Sequence, residues 1–299
     1  MKSIDLHIHS TYSDGTLSVE EIIKTAKRMG LQNISITDHD TIEQLPDCST
    51  FGKKYGIRVI PGLELSCTYT IKSLGKNKGF HLLGYGIDAE NEVLKKEMED
   101  QKNKRLIRAK SIVEKFMSFG YKVDFENTIA GKKGTVGKPE LARTVFYNPE
   151  NQTQLEAENL TDYDSFFAAY LSDDGKAFVE REEKINFIDG IKFIHAAGGK
   201  AVWAHSYFNL RKFENQDELF DELLQDFMNA GLDGIETFYS TFDENTTKRL
   251  YQIAKDKNLI ITAGSDFHEP GKKLSPELAC WKDYNLELPP IDRLLELLR

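Results

Sequence analysis

Six of the seven histidines in this chain fall at, or just beyond, the ends of short apolar segments: His7, His9, His39, His81, His205 and His268. Asp14, Glu64 and Asp266 occupy positions of the same kind. Neutral imidazoles and carboxylates are good donors to Zn, Mn or Fe. The spacing adds geometry, because His7-x-His9 and Asp266-x-His268 are i, i+2 pairs that share one face of an extended segment. Any one of these residues, taken alone, is as readily a hydrogen-bonded, partly buried side chain. Together they point to a metal centre. Cys48, Cys67 and Cys280 are odd in number and widely separated, with no CxxC pair. That argues against a thiolate zinc site or a disulfide framework, and for a reducing cytoplasm.

Such a centre needs elements that bring distant residues together. Residues 4–9 read as a strand, with Ile4, Leu6 and Ile8 on one face and Asp5, His7 and His9 on the other. Ser18 and Glu21 form a capping box for a helix whose stripe is Ile22, Ile23, Ala26 and Met29, stopped by Gly30. Strands are expected over 33–37 and 57–65, with a further apolar segment over 80–87. A long charged helix is expected over 93–119, and then a stretch rich in Gly, Asn, Asp and Gln to about residue 180 breaks the rhythm. Helices at 186–197, 217–230 and 243–256 alternate with strands at 200–204, 234–237 and 259–263. Alternation of this kind predicts an α/β fold with a parallel sheet, about seven units closing into a distorted TIM-like barrel. Residues 1–94 and 182–299 would form the barrel, and 95–181 an inserted, mainly helical cap. Active sites of such barrels lie on the rim where strands end.

With 299 residues, 40% of them hydrophobic and 29% charged, the chain can bury a sizeable core. A formal net charge of −9 disfavours long duplex nucleic acid as a partner but leaves room for a small anion at a locally positive site. Its apolar runs are too short to span a bilayer, and the N-terminus shows no secretory pattern, so a cytoplasmic location is expected.

Seven segments then carry a resemblance: Asp5-Leu-His-Ile-His-Ser10, Tyr12-Ser-Asp-Gly-Thr16, Thr37-Asp-His-Asp40, Gly62-Leu-Glu64, Phe80-His-Leu-Leu-Gly-Tyr85, Ala204-His205 and Gly264-Ser-Asp-Phe-His268. In order and type they resemble the motifs of the PHP superfamily, named for its polymerase and histidinol phosphatase domains. The resemblance implies three divalent metal ions (Mn, Zn or Fe). His7, His9, Glu64 and Asp266 would hold the first, Glu64, His81 and His205 the second, and Asp14, His39 and His268 the third. It implies hydrolysis of phosphate monoesters by a metal-bound hydroxide, with no protein group legible as the general acid. Asp5, Asp38 and Asp40 are better read as partners of the ligands.

The resemblance extends into the insertion, which is similar to the cap of nucleoside 3′,5′-bisphosphate phosphatases and short-RNA exonucleases. Lys138-Pro-Glu-Leu-Ala-Arg143 and Ala177-Phe-Val-Glu-Arg181 carry it, with Glu140 in place of His, Glu180 in place of Pro, and Ser206 in place of the Pro after His205. It makes Arg143, Arg181 and Lys138 the candidate phosphate-binding residues, Arg143 first, since a guanidinium can grip an oxyanion with two N–H groups. Lys102, Lys104, Arg105, Arg108 and Lys110 read as the wet face of the long helix, and Phe116, Met117 and Phe119 as core. His195 is read as structural. The expected substrate is a small phosphorylated metabolite, foremost a nucleotide such as a nucleoside 3′,5′-bisphosphate. Exonuclease action on short oligonucleotides and hydrolysis of histidinol phosphate are the alternatives. A non-catalytic module is disfavoured because no ligand position is lost.

Overall fold

The computed structural model describes residues 3–126, 129, 132–181, 184–271, 275, 277–288 and 296. The expected α/β alternation is present. Strand β1 (Ile4–Ile8) leads to α1 (Val19–Arg28), where the Ser18–Glu21 capping box is formed. Then come β2 (Asn33–Ile36), α2 (Leu45–Tyr55), β3 (Arg58–Val59), β4 (Gly62–Ile71) and β5 (Lys76–Tyr85). Helix α3 (Glu92–Ser118) is followed by α4 (Lys138–Phe146), α5 (Gln152–Ala157) and α6 (Tyr163–Leu171). The alternation resumes with β6 (Ile185–Asn186), α7 (Phe187–Ala196), β7 (Lys200–Trp203), α8 (Ser206–Leu210) and α9 (Gln216–Asn229). It ends with β8 (Gly234–Tyr239), α10 (Glu244–Asp256) and β9 (Ile260–Gly264).

The closed, all-parallel barrel is not what forms among the described residues. The strands make two sheets, one ordered β1-β2-β3 and one ordered β6-β4-β5-β7-β8-β9. β5 runs against both β4 and β7. The reason lies in the link from β4 to β5: residues 72–75 are too few for the crossover that parallel strands need, and suffice only for a hairpin. The two sheets meet along two seams, each bridged by one residue pair, Ile8 with Phe267 and His39 with Glu64.

One apolar cluster, including Leu6, Ile8, Leu63, Leu82, Trp203, Phe227 and Ile235, lies between the sheets and their helices. A second, built on Ile112, Phe116, Leu141, Val145, Phe166 and Tyr170, belongs to the helical stretch alone. Phe116 is core as expected, but Met117 and Phe119 are 58% and 41% exposed. On α3 the buried residues Leu94, Met98, Gln101, Arg105, Ala109, Ile112 and Phe116 repeat at helical spacing, and positions 117 and 119 lie off that stripe.

Candidate metal centre and its cleft

All nine predicted ligand positions converge at the seams. His7 lies on β1 and His9 just past its end; His39 follows β2; Glu64 is on β4; His205 follows β7; Asp266 and His268 follow β9. His81 sits midway along β5, and because that strand runs in reverse its earlier residues reach the same rim. Three residues here, Asp40, His205 and Asp266, hold left-handed backbone at φ 50°, 29° and 54°. Non-glycine side chains rarely tolerate that region unless surrounding contacts impose it.

The candidate ligand atoms fall into three overlapping groups. His7 Nε2 lies 3.2 Å from Glu64 Oε2 and 3.4 Å from Asp266 Oδ1, and His9 Nε2 lies 3.2 and 3.1 Å from the same two oxygens. Glu64 Oε1 is 2.9 Å from His81 Nδ1 and 3.1 Å from His205 Nε2, and those two nitrogens are 3.3 Å apart. His268 Nε2 is 3.3 Å from Asp14 Oδ1, with His39 Nε2 4.0 Å from Asp14 Oδ2. His39 also turns Nδ1 to within 3.1 Å of Glu64 Oε2.

These contacts fit cations. His7 Nε2, His9 Nε2, His39 Nδ1, Asp14 Oδ1 and Glu64 Oε2 are buried without a hydrogen-bond partner, a costly arrangement for the protein alone. Ligands about 2.0–2.2 Å from one tetrahedral ion stand roughly 3.3–3.6 Å from each other, close to the spacing found. Divalent cations would satisfy all five orphaned atoms.

The surroundings hold the ligands in aim. Glu236 on β8 places Oε1 2.9 Å from His7 Nδ1 and accepts the His205 amide on Oε2 at 2.8 Å. Sequence reasoning missed Glu236, whose only signal is a charged residue inside the otherwise uncharged strand Gly234–Tyr239. Gly264 makes that contact possible: a Cβ there would stand 2.3 Å from His7 Cβ and 2.4 Å from Glu236 Oε1. The Tyr239 hydroxyl donates to Asp266 Oδ2 at 2.8 Å. Asp38 accepts from the Ser10 amide and hydroxyl and from Ser13, and Asp5 from Ser265 and the Ala279 amide. Both therefore brace the ligand loops.

Acids and imidazoles in the centre shift one another's protonation. Burial would lower His7, but Glu236, Glu64 and Asp266 outweigh it and hold the ring well above its usual range. Burial likewise opposes charge on His9, yet contacts with Asp266 and Glu64 push it up to about 10. His39, deeper in conflict with burial and with His9 and His81, is pushed down to about 3. Burial would raise Glu64, Asp14 and Asp266, but the surrounding imidazoles hold all three carboxyls well below the usual range.

A cleft of about 580 Å³ opens beside these groups, lined by Asp14, His39 and His81 on one side and by Arg105, Arg108, Lys138, Arg181 and Lys184 on another. The wet-face reading of α3 is corrected here. Arg105 is buried, donating Nε to Asp40 Oδ2 at 2.7 Å and NH2 to Ser66 Oγ at 2.8 Å. Arg108 lines the cleft, half-buried, with Nε on the Val179 carbonyl at 2.8 Å. Both follow Gln101 at i+4 and i+7 on the inward stripe of α3, a period that a charge count passes over. Arg181 donates NH1 to the same Asp40 oxygen at 2.8 Å. Lys138 lies 5.0 Å from the Phe178 ring centre and 3.7 Å from Asp173. Arg143 stands at the other edge of the centre, its NH2 donating to the Asp14 carbonyl at 2.6 Å. The carboxylate at Glu140 is met by Lys132 at 2.6 Å. His195 lies apart, pairing with Asp233 at 2.7 Å. All three cysteines are free, and no described helix is long and apolar enough to cross a membrane.

Comparison with known proteins agrees with this geometry. The PHP domain family matches residues 5–261. A 5′-3′ exoribonuclease of Haemophilus influenzae is 29% identical over 269 residues, covering 90% of this chain and 91% of its own. A 3′,5′-nucleoside bisphosphate phosphatase of Chromobacterium violaceum is 28% identical over 273 residues, covering 91% and 89%. Among solved structures, one from Chromobacterium violaceum described as an amidohydrolase with bound sulfate and no metal superposes with a TM-score of 0.80. It is 26% identical, with 99% of this chain and 96% of that one covered.

Proposed function

The chain belongs to the PHP domain family, and from that premise we propose that it is a metal-dependent phosphoesterase that removes phosphate from small phosphorylated metabolites, foremost a nucleoside 3′,5′-bisphosphate. One observation carries the reading: three overlapping ligand groups, with five buried donor atoms lacking any hydrogen-bond partner, border a cation-lined cleft. The relatives named as a bisphosphate phosphatase and an exoribonuclease support the same class of chemistry.

The proposed ligand sets are His7, His9, Glu64 and Asp266; Glu64, His81 and His205; and Asp14, His39 and His268. Divalent cations bound there would supply Lewis acidity and an acidified water at neutral pH. The chain's own side chains do the rest. Glu236 keeps a proton on Nδ1 of His7, so that Nε2 presents its lone pair to the centre. Tyr239 occupies the outer oxygen of Asp266 and leaves the inner one free. Arg143, beside Asp14, is the proposed clamp on the scissile phosphate. Lys138 and Arg181, with Arg108 and Lys184 beside them, offer positive charge for the second phosphate of a bisphosphate. We take residues 95–181 as a cap bearing these groups except Lys184, a division supported by the separate apolar cluster of that stretch.

The test is phosphate release by purified, metal-loaded protein across nucleoside bisphosphates, mononucleotides and histidinol phosphate. The bisphosphate is expected to give the highest kcat/KM. Absence of turnover on all of them rejects the proposal.

A further inference from the structure

The three candidate ligand sets are not braced alike. In the first two, the ligands' own main-chain carbonyls accept from groups outside residues 95–181. His7 takes the Asp266 amide at 2.8 Å, Glu64 the Asp40 amide at 2.9 Å, His81 the Ala204 amide at 3.2 Å, and Asp266 the Nδ1 of His268 at 2.8 Å. In the third set the grip comes from the helical stretch. Thr135 Oγ1 donates to the His39 carbonyl at 2.6 Å, and Arg143 NH2 to that of Asp14 at 2.6 Å. Lys132 Nζ donates to the carbonyl of Ser13, one residue before Asp14.

The segment that delivers these donors is itself tied down. The Thr135 amide donates to the Tyr12 carbonyl at 2.8 Å, and the Gly134 amide to Glu43 Oε2 at 3.0 Å. Gly134 sits at φ 75°, and a Cβ there would stand 1.9 Å from the Tyr12 oxygen, so only glycine allows so close an approach. Glu140 holds the Lys132 ammonium at 2.6 Å, which fixes that cation beside the Asp14 loop.

A gripped carbonyl fixes its peptide plane, and with it the direction of the side chain. The plane joining His39 to Asp40 is held at both ends, its oxygen by Thr135 and its N–H by the Glu64 carbonyl. It leads into the left-handed backbone of Asp40, a conformation that persists only while its contacts impose it. The third set is also the most widely spaced. It reaches 4.0 Å between His39 Nε2 and Asp14 Oδ2, against 2.9–3.4 Å between acid and imidazole atoms in the other two.

We propose that Lys132 and Thr135 are positioning residues for the third cation, holding Asp14 and His39 in register with His268, so that this cation alone depends on residues 132–135 being seated. The proposal rests on the metal-dependent reading and goes beyond it, because it makes one of the three cations conditional on the cap. The coupling runs both ways: a cation that binds better when the segment is seated must also hold the segment down.

Calorimetric titration of chelated protein with Mn²⁺, with bound metal counted by elemental analysis, tests it. Thr135→Val removes the hydroxyl at nearly constant volume, and Lys132→Met removes the ammonium. Each should weaken one ion about 10- to 100-fold and leave the others unchanged. Thr135→Ser, which keeps a hydroxyl, should recover most of that loss. His268→Ala identifies the ion, since adding Thr135→Val to it should weaken nothing further. Wild-type affinity for every ion in both single variants overturns the proposal, as does an equal loss across all ions or a further loss in the double variant. A wild-type protein that takes up Mn²⁺ yet loses none of it in His268→Ala overturns it too. A wild-type protein that takes up no Mn²⁺ rejects the parent reading instead.

Discussion

If cations bind as proposed, protons must compete with them for the same atoms at His7, His9 and His205, and the competition has a sign. Neighbouring carboxylates raise all three imidazoles in the metal-free protein, His9 to about 10. A cation entering near neutral pH must displace those protons, since only the unprotonated nitrogen is a ligand. Metal uptake at pH 7–8 should therefore release protons, and apparent affinity should rise with pH. The metal-free protein should behave in the opposite sense. A histidine raised in the folded state contributes stability that is complete below about 6.5 and is lost as pH climbs through about 10. Calorimetric titration in buffers of different ionisation enthalpy, with Tm of the chelated protein against pH, reads both. Uptake with no proton release would contradict the raised protonation described for these side chains.

At the scale of the element, Asp40 joins strand to helix. Its Oδ2 accepts from Arg105 of α3 and from Arg181, while Oδ1 accepts the Ser66 amide of β4 at 2.7 Å. Asp40→Asn should destabilise the fold by about 3–5 kcal/mol, because two buried guanidiniums lose their shared counter-charge. Urea unfolding measures it, and a change below about 1 kcal/mol would mean the pair is solvated. This cluster was hidden in the sequence. The inward side of α3 carries Gln101 and Arg105 between apolar turns, so a reading by charge sends them to water while a reading by period sends them inside. The convergence of the nine candidate positions was legible for the opposite reason, since their residue types are scarce and their i, i+2 spacing survives in β1 and after β9. Strand direction was less so: β4 is buried almost throughout and β5 over Leu82–Tyr85, which blurs the alternation that marks a hairpin, and only the brevity of residues 72–75 gives it away.

For the whole molecule, residues from position 7 to position 268 meet in one centre, so the centre exists only when the chain is folded. Cations that bind there and not to the unfolded chain must add to stability by mass action. The gain has a location. His7, His9 and His39 come from the three-stranded sheet, whereas Glu64, His81, His205, Asp266 and His268 come from the six-stranded one, and each seam carries a single β-bridge pair in place of a continuous ladder. Bound cations would act as rivets through both joints. Stripping them should let the sheets part slightly before either unravels. Deuterium exchange should then quicken first at the amides of His9 and Asp266, which bond across one joint to Phe267 and His7, and of Asp40 and Glu64, which bond across the other.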